Sequence, residues 1–132
     1  MDTVLRGFHH VKLPVSDIGR SIEWYERVLG LRVYIEFVEE GVLMGVAMAD
    51  LGETVALALR RAPERTAAME GFDPVALRVP TPQALKAWQQ RLDDLGEPHG
   101  GIVTGHAGSV LVGLHDPDGI EIRLYQPSGG ES

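Results

Sequence analysis

At 132 residues the chain can bury a real core, either as one compact unit or as two tightly fused half-domains. Nineteen Asp and Glu against 12 Lys and Arg leave a net charge of −7, which argues against nucleic acid and anionic membrane surfaces as partners. With no cysteine, the chain holds no disulfide, thiolate nucleophile or Cys-type metal site; no apolar run nears the roughly 20 residues of a membrane span, and Met1–Leu5 opens no secretory signal, so a cytoplasmic location is the expectation.

Along the chain, Val11, Leu13 and Val15 alternate with His10, Lys12 and Pro14, the period of a strand with one face on a core. Ser16 or Asp17 can cap a helix whose Ile18, Ile22, Tyr25, Val28 and Leu29 recur at helical spacing and which Gly30 ends. Three strands are predicted next, over 31–38, 42–49 and 54–60, split by the turn signals Glu40-Gly41 and Asp50-Leu51-Gly52. Residues 61–71 lack strand periodicity and read as a linker, part of it helical. The order then repeats. Val75, Leu77 and Val79 form a strand face; Thr81 caps a helix with Pro82 at its first position and Leu85, Trp88, Leu92 and Leu95 as its stripe; Gly96 ends it. Strands follow over 101–105, 109–115 and 120–126, the last two joined by the turn Asp116-Pro117-Asp118-Gly119.

Residues 8–30 and 72–96 are thus two copies of one pattern at a constant offset of 64: Val11 matches Val75, Leu13 matches Leu77, Trp24 matches Trp88 and Arg27 matches Arg91. The expected class is α+β, one unit over 1–132 made of two tandem β-α-β-β-β modules (6–60 and 72–127) with curved mixed sheets that together form a cup. Residues 128–132 are expected to be a disordered tail.

His10-Val11-Lys12-Leu13-Pro14-Val15-Ser16-Asp17, the stretch from Ser21 through Trp24-Tyr25 to Leu29-Gly30, and His115-Asp116-Pro117-Asp118-Gly119, set in this duplicated frame, resemble the vicinal oxygen chelate superfamily of glyoxalase I, bleomycin-resistance proteins and extradiol dioxygenases. The resemblance covers essentially the whole chain. It implies up to four metal ligands on the cup face, one from the first and one from the last strand of each module. His10 is a good ligand; its counterpart Pro74 has no donor, Ala56 and Ala58 cannot bind a metal, and Arg123 stands where the second carboxylate usually lies. A turn two residues shorter than usual puts Glu121 there instead. His10 and Glu121 are then two ligands where zinc and iron sites use three.

His10, Lys12, Arg78, Glu121, Arg123 and Tyr125 share the cup-face parity and are the candidate ligand-binding residues. A charge in a partly buried cup must be paired or meet a ligand. An internal Glu121–Arg123 or Glu121–Arg78 ion pair is one outcome; an Arg receiving the acidic or phenolic group of a ligand is the other, with Arg123 expected as the anchor. Trp24 and Trp88 read as core, His115 as part of the turn, and His99 and His106 as solvated loop residues. The functional expectation is a homodimeric protein without a cofactor that sequesters a small, largely apolar organic molecule in the cup, as bleomycin-resistance proteins bind their drug. The alternative is an enzyme. It is either a lyase or dioxygenase with Zn, Fe, Ni or Mn on His10 and Glu121, or a metal-free isomerase with His10 as general base and Arg123 stabilising an enolate.

Overall fold

Local signals start and stop both long helices of the computed structural model, which describes residues 2–127. In α1 (Ile18–Leu29) the Asp17 carboxylate accepts the Arg20 N–H at 3.0 Å, and Gly30 closes the helix in the left-handed region. In α3 (Pro82–Leu95) Thr81 Oγ1 accepts the Ala84 N–H at 3.0 Å, and Gly96 plays the part of Gly30. The strands are β1 (Val11–Val15), β2 (Arg32–Glu39), β3 (Val42–Ala49) and β4 (Ala56–Arg61), then β5 (Val75–Arg78), β6 (Ile102–Gly105), β7 (Gly108–Leu111) and β8 (Ile122–Pro127). The linker expected over 61–71 holds the short helix α2 (Pro63–Met69), with Arg61 still in β4. The 128–132 tail lies outside the described residues, and among those residues no helix is long and apolar enough to cross a membrane.

Each module is a mixed four-stranded sheet under one helix, in the orders β1-β4-β3-β2 and β5-β8-β7-β6. The first strand of each pairs parallel with the last: Lys12 with Ala58, and Ala76 with Arg123. Alternation sends Leu13, Val15, Val46, Met48, Leu57 and Leu59 under α1, where Tyr25 and Val28 are fully buried. The second sheet sends Val75, Ile122, Leu124 and Leu111 under α3, and both sets belong to one continuous apolar cluster. Trp24 is buried in it, while Trp88 packs against it half-buried.

β7 stops at Leu111 rather than continuing to His115. Gly113, at φ 76°, turns the chain so closely past Gly100 that a Cβ there would sit 2.7 Å from the Gly100 nitrogen. His115 keeps only an isolated antiparallel bridge to Glu121. His99, expected to be solvated, is instead held from both sides: Nε2 lies 2.7 Å from Asp93 Oδ1, and Nδ1 accepts the Gly101 N–H at 3.0 Å.

The Asp-Pro-Asp-Gly turn ties the two modules together. Asp116 is 4% exposed; its Oδ1 accepts the N–H groups of Asp118 and Ile120, and its Oδ2 accepts the Tyr25 hydroxyl of α1 at 2.7 Å. Asp118 in turn accepts the backbone N–H and the hydroxyl of Ser16, at the end of β1. Arg91 of α3 donates to the Arg27 and Val28 carbonyls at the C-terminus of α1, where a cation is favoured. Burial pushes the Asp116 carboxyl above the ordinary Asp range, and the Tyr25 hydrogen bond pulls against that. Tyr25→Phe removes that donor and leaves a buried carboxylate oxygen short of one partner. It is expected to cost about 1.5–3 kcal/mol in urea unfolding, the scale of a hydrogen bond to a charged group; a change within error of the parent would show that water replaces the hydroxyl.

Candidate functional site

The face of the first sheet turned away from α1 is floored by small residues. Ala58 pairs with Ala47 and Ala56 with Ala49, so this part of β3 and β4 raises no bulk, and Gly45 stands opposite Arg60. The wall comes from β2. Its register slips between Val33 (opposite Met48) and Ile35 (opposite Ala47), which makes Tyr34 a bulge residue and turns two consecutive side chains toward the same face. Tyr34, Ile35 and Phe37 stand around the floor, with His9, His10 and Lys12 on the opposite side; they enclose a cavity of about 280 Å³. Arg60 reaches the same rim, with Nη1 and Nη2 donating to the Glu39 carboxylate at 2.7 and 3.0 Å.

The outer strands β1 and β5 of the two sheets meet across a second cavity of about 330 Å³. It is lined by His9, His10 and Ala56 from one module and by Pro74, Ala76 and Arg78 from the other. A third, of about 420 Å³, continues the first floor past Tyr34 toward Arg32, Ala49 and Ala56. His10 therefore lies where the first two cavities adjoin. His9, which strand parity sends to the other side, lies there too, because both histidines precede β1 and escape its alternation. Their Nδ1 atoms are 2.9 Å apart and their rings meet edge-on.

The second sheet places its charges differently. Glu121 is 8% exposed, and its Oε2 accepts the Gly113 N–H at 2.9 Å and Arg123 Nε at 2.8 Å. Arg123 Nη1 also reaches Asp73 Oδ2 at 3.1 Å. Burial alone would raise the Glu121 carboxyl; the Gly113 N–H and the Arg123 guanidinium outweigh it and hold the group below the ordinary Glu range. Glu121 in turn pushes the Arg123 guanidinium up. The Tyr125 hydroxyl donates to the Ala107 carbonyl at 2.9 Å. Of the six candidates, His10 and Lys12 come together at the first cavity and His10 and Arg78 at the second, whereas Glu121, Arg123 and Tyr125 line none of these three cavities. Parity put Ala56 and Ala58 on the cup face but missed Tyr34, Phe37 and the β3 half of the floor, Ala47 and Ala49. The run Gly45, Ala47, Ala49 was the available hint.

The donor set can be tested against a divalent metal directly. Continued one step, the parallel registers set His10 beside Ala56 and Pro74 beside Glu121, the four places where a ligand set would stand. Two of the four side chains carry no donor. Of the remaining two, Glu121 already accepts a guanidinium, whose permanent positive charge opposes a cation at that spot. Among the described residues no three His, Cys, Asp or Glu side chains converge as a ligand group. These residues do not fit a resident divalent metal.

The chain belongs to the Glyoxalase/Bleomycin resistance protein/Dioxygenase superfamily, whose family model matches residues 7–124. Among curated relatives it is 25% identical over 134 residues to a putative ring-cleaving dioxygenase, MhqA, of Bacillus subtilis (strain 168); the match covers 96% of this chain and 42% of that protein, so the chain spans less than half the relative's length. Among solved structures, a glyoxylase/bleomycin resistance protein/dioxygenase domain from Frankia sp. EAN1pec matches with a TM-score of 0.78 at 19% identity, covering 96% of both chains. TnmS3, an antibiotic binding protein from Streptomyces sp. CB03234, matches with a TM-score of 0.75 at 22% identity, covering 96% of this chain and all of that one. At these identities the two structures attest the fold.

Proposed function

We propose that this protein binds and sequesters a small, largely apolar organic molecule in the cup, without a resident metal and in the cytoplasm. The carrying observation is the alanine-floored cavity of about 280 Å³ walled by Tyr34, Ile35 and Phe37, with Lys12 and His10 at its margin. Apolar walls with a few polar anchors are the make-up of a small-molecule site. Of the second module's polar groups, Arg78 is at the adjoining cavity, while Arg123 is held by Glu121 and Asp73 and Tyr125 by the Ala107 carbonyl. That an antibiotic binding protein shares this fold supports the reading. The dioxygenase relative favours a second reading, in which His10 and Glu121 hold a catalytic metal; the Arg123 contact to Glu121 weighs against it.

A neutral bicyclic probe, 2-naphthalenemethanol, is expected to bind the parent in calorimetry. Ala58→Phe puts a ring on the cavity floor and is expected to weaken that binding at least about tenfold, the loss when a ligand's ring face no longer reaches its walls, with the melting temperature of the folded protein little changed. Equal binding by parent and variant would place the ligand elsewhere.

We further infer that the working form is a homodimer. Val38 and Val42 at the β2–β3 hairpin are 58% and 52% exposed, and β2 is an outer strand of its sheet; Leu5 and Phe8 are more exposed still. Apolar surface beside an open sheet edge is normally covered. Light scattering at micromolar concentration is expected to give twice the single-chain mass; only the single-chain mass would refute the dimer.

A further inference from the structure

We propose that the first cavity selects planar aromatic anions and that Lys12 is the residue reading the charge. The inference rests on the cup-binding reading above and names its ligand class.

The charge pattern is the starting point. No Asp or Glu lines this cavity, although the chain has an excess of seven acidic groups. Besides His9 and His10, its lysine and its arginine are not equivalent. Arg60 is engaged through Nη1 and Nη2 by Glu39, while Lys12 forms no ion pair with any described residue. Lys12 thus keeps an uncompensated positive charge beside apolar walls, where a carboxylate or phenolate is drawn in and a cation repelled.

The shape comes from the sheet. Lys12, Ala58, Ala47 and Ile35 are successive cross-strand partners on β1, β4, β3 and β2. At about 4.8 Å per strand the row is about 14 Å long, with the ammonium at one end and the bulged Tyr34 at the other. Between them only methyl groups rise from the floor, so a flat ring system can lie on the sheet with one edge toward Tyr34 and Phe37, which are 53% and 47% exposed. The bulge widens this wall, since in an unbroken alternation the neighbours Tyr34 and Ile35 would point to opposite faces and only one of them would stand here. Tyr34 also lines the neighbouring cavity toward Arg32, so its ring sets where the floor ends for a ligand of two or three rings.

The test compares 2-naphthoate with the neutral 2-naphthalenemethanol by calorimetry on the full chain at neutral pH. The parent is expected to bind naphthoate about tenfold or more tightly than the alcohol, the scale of one charge-assisted hydrogen bond. Lys12→Met, which keeps the stem at an exposed position, is expected to abolish that preference, so that the two probes bind alike. Lys12→Arg should retain the preference, and Tyr34→Ala should weaken both probes alike. A parent that binds both probes equally, or a Lys12→Met variant that keeps the preference, overturns the assignment while the cup-binding reading stands. If neither probe binds the parent, the cup-binding reading falls and this inference falls with it.

Discussion

The buried hydrogen bond from Tyr25 to Asp116 is the contact on which the arrangement of the two modules depends. Asp116 organises its own turn through two backbone N–H groups and accepts the α1 hydroxyl with the oxygen that remains. Beside it, Asp118 holds the end of β1 through Ser16. One four-residue turn therefore sets the second sheet against both the helix and the first strand of the other module. Each sheet alone would bury one face under its helix and leave the other to water. Held at this angle, β1 and β5 stand on either side of a shared cavity.

On the exposed faces the two halves have diverged in chemistry while keeping one backbone. The first sheet has given up side-chain volume, with alanines and a glycine on two adjacent strands, and has gained aromatic walls from a bulged third strand. The second carries a carboxylate, Glu121, paired with a guanidinium that a further carboxylate, Asp73, holds from the other side. Neutralised in this way, Glu121 is stable in a nearly dry position without a metal. Lys12 at the first cavity and Arg78 at the second carry charges with no ion-pair partner among the described residues.

Much of this was legible before any coordinates. Asp17, Thr81, Gly30 and Gly96 act within a few residues of themselves, so the helix ends could be read from local rules. The parity of Leu13 and Val15 against Lys12 placed the cup face, and the repeat placed the modules. Where the chain leaves regular geometry, periodicity lost its hold. His9 and His10 precede β1, Tyr34 sits in a bulge, and Gly113 turns the chain just past the end of β7 at Leu111. Arg123 shows a different limit: its pairing with Glu121 is two residues along the strand and was foreseeable, whereas Asp73 comes from the entry to β5 and is brought near only by parallel pairing.

The central claim is that this cup holds ligands through its own side chains, with Arg123 occupying the electrostatic role at Glu121 that a cation would otherwise fill. Titration of the tag-free protein with nickel and zinc tests it most directly. The account predicts no stoichiometric binding by the parent. One metal per chain, bound tightly and lost on either His10→Ala or Glu121→Gln, would contradict it.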